Sequence, residues 1–128
     1  MNKILIDTNI YSHALRGNSD IVSTLRQVAQ ISICAISIGE LLSGFKGGFR
    51  EVENRRELGQ FLDSPRVSII SVDEDTAEFY STILTGLKQK GTPIPTNDIW
   101  IAAVAFQYGL QMYSLDKHFQ FIEGLLLR

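Results

Sequence analysis

The sequence predicts an α/β protein: one three-layer α/β/α sandwich spanning residues 1–128, built around a central parallel sheet of four or five strands. Two observations predict it. Short β-branched runs alternate with helical segments along the whole chain, the pattern of a parallel sheet covered on both faces. No internal repeat, low-complexity tract or linker breaks that alternation, so the 128 residues read as one domain able to bury a real core.

Each element has its own signal. Lys3 to Ile6 is a short apolar run and reads as a buried strand. Ile10 to Leu15 is helical and stops at Gly17. Ser19 is expected to cap a second helix carrying Ile21, Val22, Leu25 and Val28 at helical spacing. Ile31 to Ala35 is a second strand. Ser37 begins a helix through Glu40, Leu41 and Leu42, expected to loosen around Gly44, Gly47 and Gly48. Phe49 to Leu62 is a charged helix, and Val67 to Val72 a third strand. Asp73 to Lys90 places Ala77, Tyr80, Ile83, Leu84 and Leu87 on one helical face. Gly91 to Asn97, with Pro93 and Pro95, is a loop. Asp98 opens an apolar helix that runs through Tyr108 and ends at Gly109. Gln111 to Ser114 is the fourth strand, and Asp116 precedes a short segment, Lys117 to Ile122.

Composition excludes several classes. Hydrophobic residues make up 45% and charged residues 20%, ordinary values for a globular protein. The longest clean apolar stretch, Ile99 to Phe106, is far short of the ~20 residues a membrane span needs. Asp7 interrupts the N-terminal apolar run before a signal-peptide core could form, so a cytoplasmic protein is expected, with no membrane association. Cys34 is the only cysteine and sits in an apolar run, where a buried, inert thiol is expected. His13 and His118 are too isolated to suggest a histidine metal site. The net charge of −2 argues against a protein that coats nucleic acid by charge alone. It leaves room for an enzyme on nucleic acid, because bound cations invert the sign of an acidic pocket.

Four of the fourteen acidic residues stand out by their surroundings. Asp7 follows Ile4-Leu5-Ile6, and Glu40 sits in Ile36-Ser37-Ile38-Gly39-Glu40-Leu41-Leu42. Asp98 leads into Ile99-Trp100-Ile101-Ala102-Ala103, and Asp116 follows Met112-Tyr113-Ser114-Leu115. Singly, each has a structural explanation. Asp7 and Asp116 fit helix caps, Ser37 and Glu40 fit a capping box, and Thr96, Asn97 or Asp98 fits the cap of the next helix. Jointly they point elsewhere. In a parallel sheet the carboxyl ends of the strands form one edge where ligands bind, and all four acids fall at that edge. Two like charges about 4 Å apart repel by about 4 kcal/mol at an effective dielectric near 20, so the cluster is costly unless compensated. Mg²⁺ or Mn²⁺, which prefer oxygen ligands, relieve the cost and suit in-line attack on a phosphodiester. Asp73-Glu74-Asp75 also follows a strand, but its place at a helix start is better explained by the helix dipole.

These residues resemble a known family. Ile6-Asp7-Thr8-Asn9 is similar to the opening motif of the PIN-domain nucleases, and Glu40-Leu41-Leu42-Ser43-Gly44 to its second motif, E-L-x-x-G. Asp98 to Ala103 matches D-x-x-I-A-A, and Ser114 to Phe119 matches T-x-D-x-x-F with Ser in place of Thr. Order, spacing and length agree, most closely with VapC-type toxins of toxin–antitoxin pairs. The resemblance implies a PIN-like sandwich, Mg²⁺- or Mn²⁺-dependent endoribonuclease activity, homodimerisation and inhibition by a small antitoxin. It implies that Asp7, Glu40, Asp98 and Asp116 are the catalytic, metal-holding acids, with Thr8, Asn9 and Ser114 as supports. Leu115 departs from the pattern, standing where toxins often carry a polar or basic residue. Some PIN domains mature RNA without an antitoxin, and a silent binding domain of this fold is a third reading. A phosphatase built around Asp7 fits poorly, because its usual second acid falls at Asn9.

Lys46 and Arg50 share a helical spacing and are candidate RNA contacts, although Glu51, Glu53 and Glu57 beside them also fit a plain solvated helix. Leu42, Phe45 and Phe49 read equally as core or as an antitoxin groove.

Overall fold

A computed structural model describes residues 2–128. Four strands, β1 (Lys3–Ile6), β2 (Gln30–Cys34), β3 (Val67–Ile70) and β4 (Gln111–Tyr113), form one sheet in the order β3-β2-β1-β4. Every pairing is parallel, with Ile4 opposite Ile31 and Gln111. Leu127 adds a parallel bridge to Met112 beyond β4. That is the rudiment of a fifth strand. The helices are α1 (Thr8–Leu15), α2 (Ser19–Gln27), α3 (Ala35–Lys46), α4 (Glu51–Leu62), α5 (Glu74–Lys90) and α6 (Thr96–Tyr108), followed by a 3₁₀ turn, Lys117–Phe121.

The period-two alternation of strand side chains builds two cores. Ile4, Ile6, Ile31 and Ile33 face one layer, where they pack with Ile10, Tyr11, Leu25, Leu41 and Leu58 from α1 to α4. Leu5, Cys34 and Met112 face the other, packed with Leu87, Ile99, Ala102, Val104 and Phe119. The three-layer expectation therefore holds, and Cys34 is fully buried with burial pushing its thiol up. Among the described residues, no helix is long and apolar enough to cross a membrane.

Several boundaries differ from the sequence expectation. Asn18, not Ser19, caps α2 through its side chain, which accepts the Ile21 N–H at 3.2 Å. β2 passes into α3 without a loop, so Ser37 lies inside the helix with its hydroxyl buried and unpartnered. The Ser37–Glu40 capping box therefore does not form. α3 does not loosen at Gly44 but continues to Lys46, leaving the four residues from Gly47 to Arg50 before α4. Leu42 and Phe45 pack on the first core, whereas Phe49 is fully exposed. α6 begins two residues early, at Thr96 with Pro95 in the cap position, and Asp98 becomes its third residue.

Candidate metal centre

A cavity of about 400 Å³ opens at the carboxyl edge of the sheet. Asp7, Glu40, Asp98 and Asp116 all line it, together with Thr8, Asn9, Asn97 and His118. Local structure accounts for each position. Asp7 ends β1 and caps α1, accepting the Ile10 N–H at 3.0 Å through Oδ1. Asp116 follows β4 and caps the 3₁₀ turn, accepting the His118 N–H at 2.9 Å. Asp98 reaches in from the first turn of α6, and Glu40 from the sixth residue of α3. The capping explanation and the cluster explanation thus hold together for Asp7 and Asp116, since a carboxylate has a second oxygen to spare.

A polar scaffold fixes the acids. The Ser114 hydroxyl donates to Asp7 Oδ2 and accepts the Asp116 N–H at 2.9 Å. The Thr8 hydroxyl donates to Glu40 Oε1 at 2.7 Å, and the Asn97 amide to Glu40 Oε2 at 3.3 Å. His118 Nδ1 stands 3.0 Å from both Asp98 Oδ2 and Asp116 Oδ1. Asn9 faces the cavity through its place on the wall.

The electrostatics carry the signature of crowded acids. Burial pushes the Asp7 carboxyl above the usual carboxylate range, against hydrogen bonds from Ser114 and Ile10, and the charges of Asp116 and Glu40 push it further. Asp98 is raised by burial first and then by Asp116 and Glu40, while the hydrogen bond and charge of His118 oppose the rise. Both groups therefore sense the other acids, which is the cost a cation would remove. Oxygen-rich, partly buried and open to solvent, this donor set fits a divalent ion. Asp98, Asp116 and His118 each place one ligand atom within 4.8 Å of the others.

Other sequence candidates lie elsewhere. Lys46 and Arg50 do not line the cavity; Lys46 pairs with Glu51 at 3.5 Å and Arg50 with Glu53, both exposed. Asp73 caps α5 in a capping box with Thr76, and those hydrogen bonds with one from Gln107 hold its carboxyl low. Two wall residues went unassigned in the sequence. Asn97 looked like a cap and donates instead across 57 residues to Glu40. His118 looked isolated, and its only signal was the D-x-H spacing to Asp116.

The PIN-domain family model matches residues 4–125. The chain belongs to the PIN-domain family. It is 30% identical to ribonuclease VapC2 of Rickettsia felis over 128 residues, covering 96% of this chain and 94% of that one. It is 31% identical to toxin FitB of Neisseria gonorrhoeae, covering 88% of this chain and 87% of that one. Among solved structures, a chain of R. felis VapBC2, bound to a DNA fragment from their promoter, superposes with a TM-score of 0.89 at 28% identity. That match covers 98% of this chain and 97% of the other. This PIN domain therefore shares its architecture with the VapBC2 chain from end to end.

Proposed function

We propose that this PIN domain, residues 1–128 as one unit, is a divalent-metal-dependent endoribonuclease and the toxin of a toxin–antitoxin pair. One observation carries the reading. Four carboxylates from four separate elements line a single cavity, and burial with mutual repulsion raises two of them. The similarity to a protein named ribonuclease VapC2 supplies the substrate class, RNA, and its VapBC complex supports a small antitoxin as partner. Homodimerisation rests on the family resemblance.

In this reading Asp7, Glu40, Asp98 and Asp116 hold Mg²⁺ or Mn²⁺. A bound cation would offset their repulsion and would supply Lewis-acid activation of water and of phosphate oxygens. The chain's own residues do the positioning. Ser114 locks the Asp7 rotamer and, through the Asp116 N–H, ties the turn after β4 to the end of β1. Thr8 and Asn97 each engage one oxygen of Glu40 and so aim a long, flexible side chain into the cavity. Such supports keep reacting groups within the narrow tolerance that catalysis needs. Lys46 and Arg50 would meet flanking phosphates by exchanging their exposed pairs with Glu51 and Glu53, which solvent screens and RNA can replace.

The test is cleavage of total cellular RNA with Mg²⁺ or Mn²⁺, with EDTA, and with Asp98→Asn. Cleavage confined to the metal-loaded wild type supports the reading. Equal cleavage in EDTA or by the variant removes it. Co-expression with a short adjoining gene product that abolishes cleavage would assign the toxin role; an active enzyme that no adjoining product restrains would place it in RNA processing.

A further inference from the structure

We infer that His118 is a direct nitrogen ligand of the cation, so that this centre has a mixed nitrogen–oxygen donor set and prefers Mn²⁺ or Co²⁺ over Mg²⁺. The inference rests on the proposed metal centre and concerns which atoms complete it.

Geometry is the first argument. His118 Nδ1 lies 3.0 Å from Asp98 Oδ2 and 3.0 Å from Asp116 Oδ1. Adjacent donors of an octahedral ion stand apart by √2 times the bond length, about 3.0 Å for bonds of about 2.1 Å. The nitrogen thus stands from each oxygen at the separation that neighbouring donors of one ion would have.

Donor counting is the second argument. A ring nitrogen carries either one proton or one lone pair. With a proton, it can donate in line to only one of two equidistant carboxylate oxygens. With a lone pair, it faces two acceptors and no donor. A cation among the three atoms satisfies all of them at once. The residue's backbone is also fixed: the His118 main-chain N–H donates to Asp116 Oδ1 at 2.9 Å, and Phe119, the next residue, is buried in the core at 1% exposure. The side chains of Asp98, Asp116 and His118 remain 17%, 27% and 42% exposed, leaving a path for an ion and its waters.

Imidazole nitrogen is a softer donor than carboxylate oxygen. It adds little for Mg²⁺, which favours oxygen, and more for Mn²⁺ and Co²⁺. Electron spin-echo spectroscopy of the Mn²⁺-loaded wild type reads the ligand directly. We expect ¹⁴N modulation of the strength of a coordinated imidazole, lost in His118→Asn. By calorimetry His118→Asn should lose Mn²⁺ affinity on the order of tenfold, with Mg²⁺ affinity nearly unchanged. Asparagine keeps a hydrogen-bond donor near the Nδ1 position, so a purely positioning histidine would leave the Mn²⁺/Mg²⁺ ratio intact. That result, or Mn²⁺ bound to the wild type without ¹⁴N modulation, overturns the inference while leaving the metal centre standing. A wild type that binds neither Mn²⁺ nor Mg²⁺ overturns both.

Discussion

Ser114 and Asp7, 107 residues apart in sequence, are joined by a hydrogen bond across the carboxyl ends of β4 and β1. The same hydroxyl accepts the Asp116 N–H, so one side chain couples two acids of the cluster. Parallel pairing of β1 with β4, Ile6 opposite Tyr113, is what brings the two strand ends side by side.

Removing that hydroxyl should weaken metal binding in a pH-dependent way. The Ser114 hydrogen bond lowers the Asp7 carboxyl against its burial, so Ser114→Ala lets it rise further and the proton then competes with the metal. We expect Ser114→Ala to lose Mg²⁺ affinity on the order of tenfold near pH 6, with a smaller loss near pH 8. Ser114→Thr, which keeps the hydroxyl, should bind as the wild type does. Calorimetric titrations at the two pH values decide it, and a pH-independent loss would assign Ser114 a purely steric role.

The raised acids also fix the sign of the stability–pH profile without metal. Asp7 and Asp98 titrate above the ordinary carboxylate value near 3.9. Between that value and their native ones, the unfolded chain has released protons that the folded chain still holds. Stability must then fall as pH rises through the window. Asp73, held low, acts only below the ordinary value and does not mask the effect. In EDTA the melting temperature should fall as pH rises above the ordinary carboxylate value. Millimolar Mg²⁺ or Mn²⁺ should raise it at pH 7 by mass action. Calorimetric melts across this range would contradict the account if stability climbed steadily toward neutrality.

The backbone of this site was legible in sequence because its signals are local. Ile4-Leu5-Ile6 before Asp7 is a strand meeting an acid, and Met112-Tyr113-Ser114 before Asp116 repeats the arrangement. What escaped was non-local. Asn97 donates to Glu40 across 57 residues, and no periodicity announces such a contact. The S-x-x-E pattern at Ser37 misled because a capping box needs a free helix start, and β2 leads into α3 with no loop. Thr96 and Asn97 fall at the end of the loop expected around Pro93 and Pro95. Pro95, with φ of −57°, instead sits in the cap position and the helix starts at once. His118 carried only the D-x-H spacing to Asp116, and the fold alone places its ring beside a second acid, Asp98.

Arg66 offers a stability prediction independent of the site. Its guanidinium donates to the carbonyls of Leu25 and Val28, the latter at 2.6 Å, which fastens the end of α2 beside β3. Hydrogen bonds to a charged group are worth about 1.5–3 kcal/mol, so Arg66→Ala should cost about 2 kcal/mol and lower the melting temperature by several degrees. Both bonds come from one nitrogen, Nη2, so Arg66→Lys, whose compact ammonium is more strongly hydrated, should recover only part of the loss. RNA cleavage at a temperature where both variants are folded should be unchanged.

Asp7→Asn separates folding from function most sharply. Asp7 is only 6% exposed, and burial is the largest cause of its raised titration. Asparagine keeps an oxygen to accept the Ile10 N–H, so the α1 cap survives. It also removes one charge from the repelling cluster. The metal-free variant should therefore melt higher than the wild type at pH 7, by about 3–5 °C, the shift about 1 kcal/mol gives in a chain of this size. Millimolar Mg²⁺ or Mn²⁺ should stabilise the variant much less than the wild type, and RNA cleavage should be lost. Lower stability in EDTA would mean that the charged carboxylate, with the Ser114 hydrogen bond it accepts, contributes more to the fold than the repulsion costs.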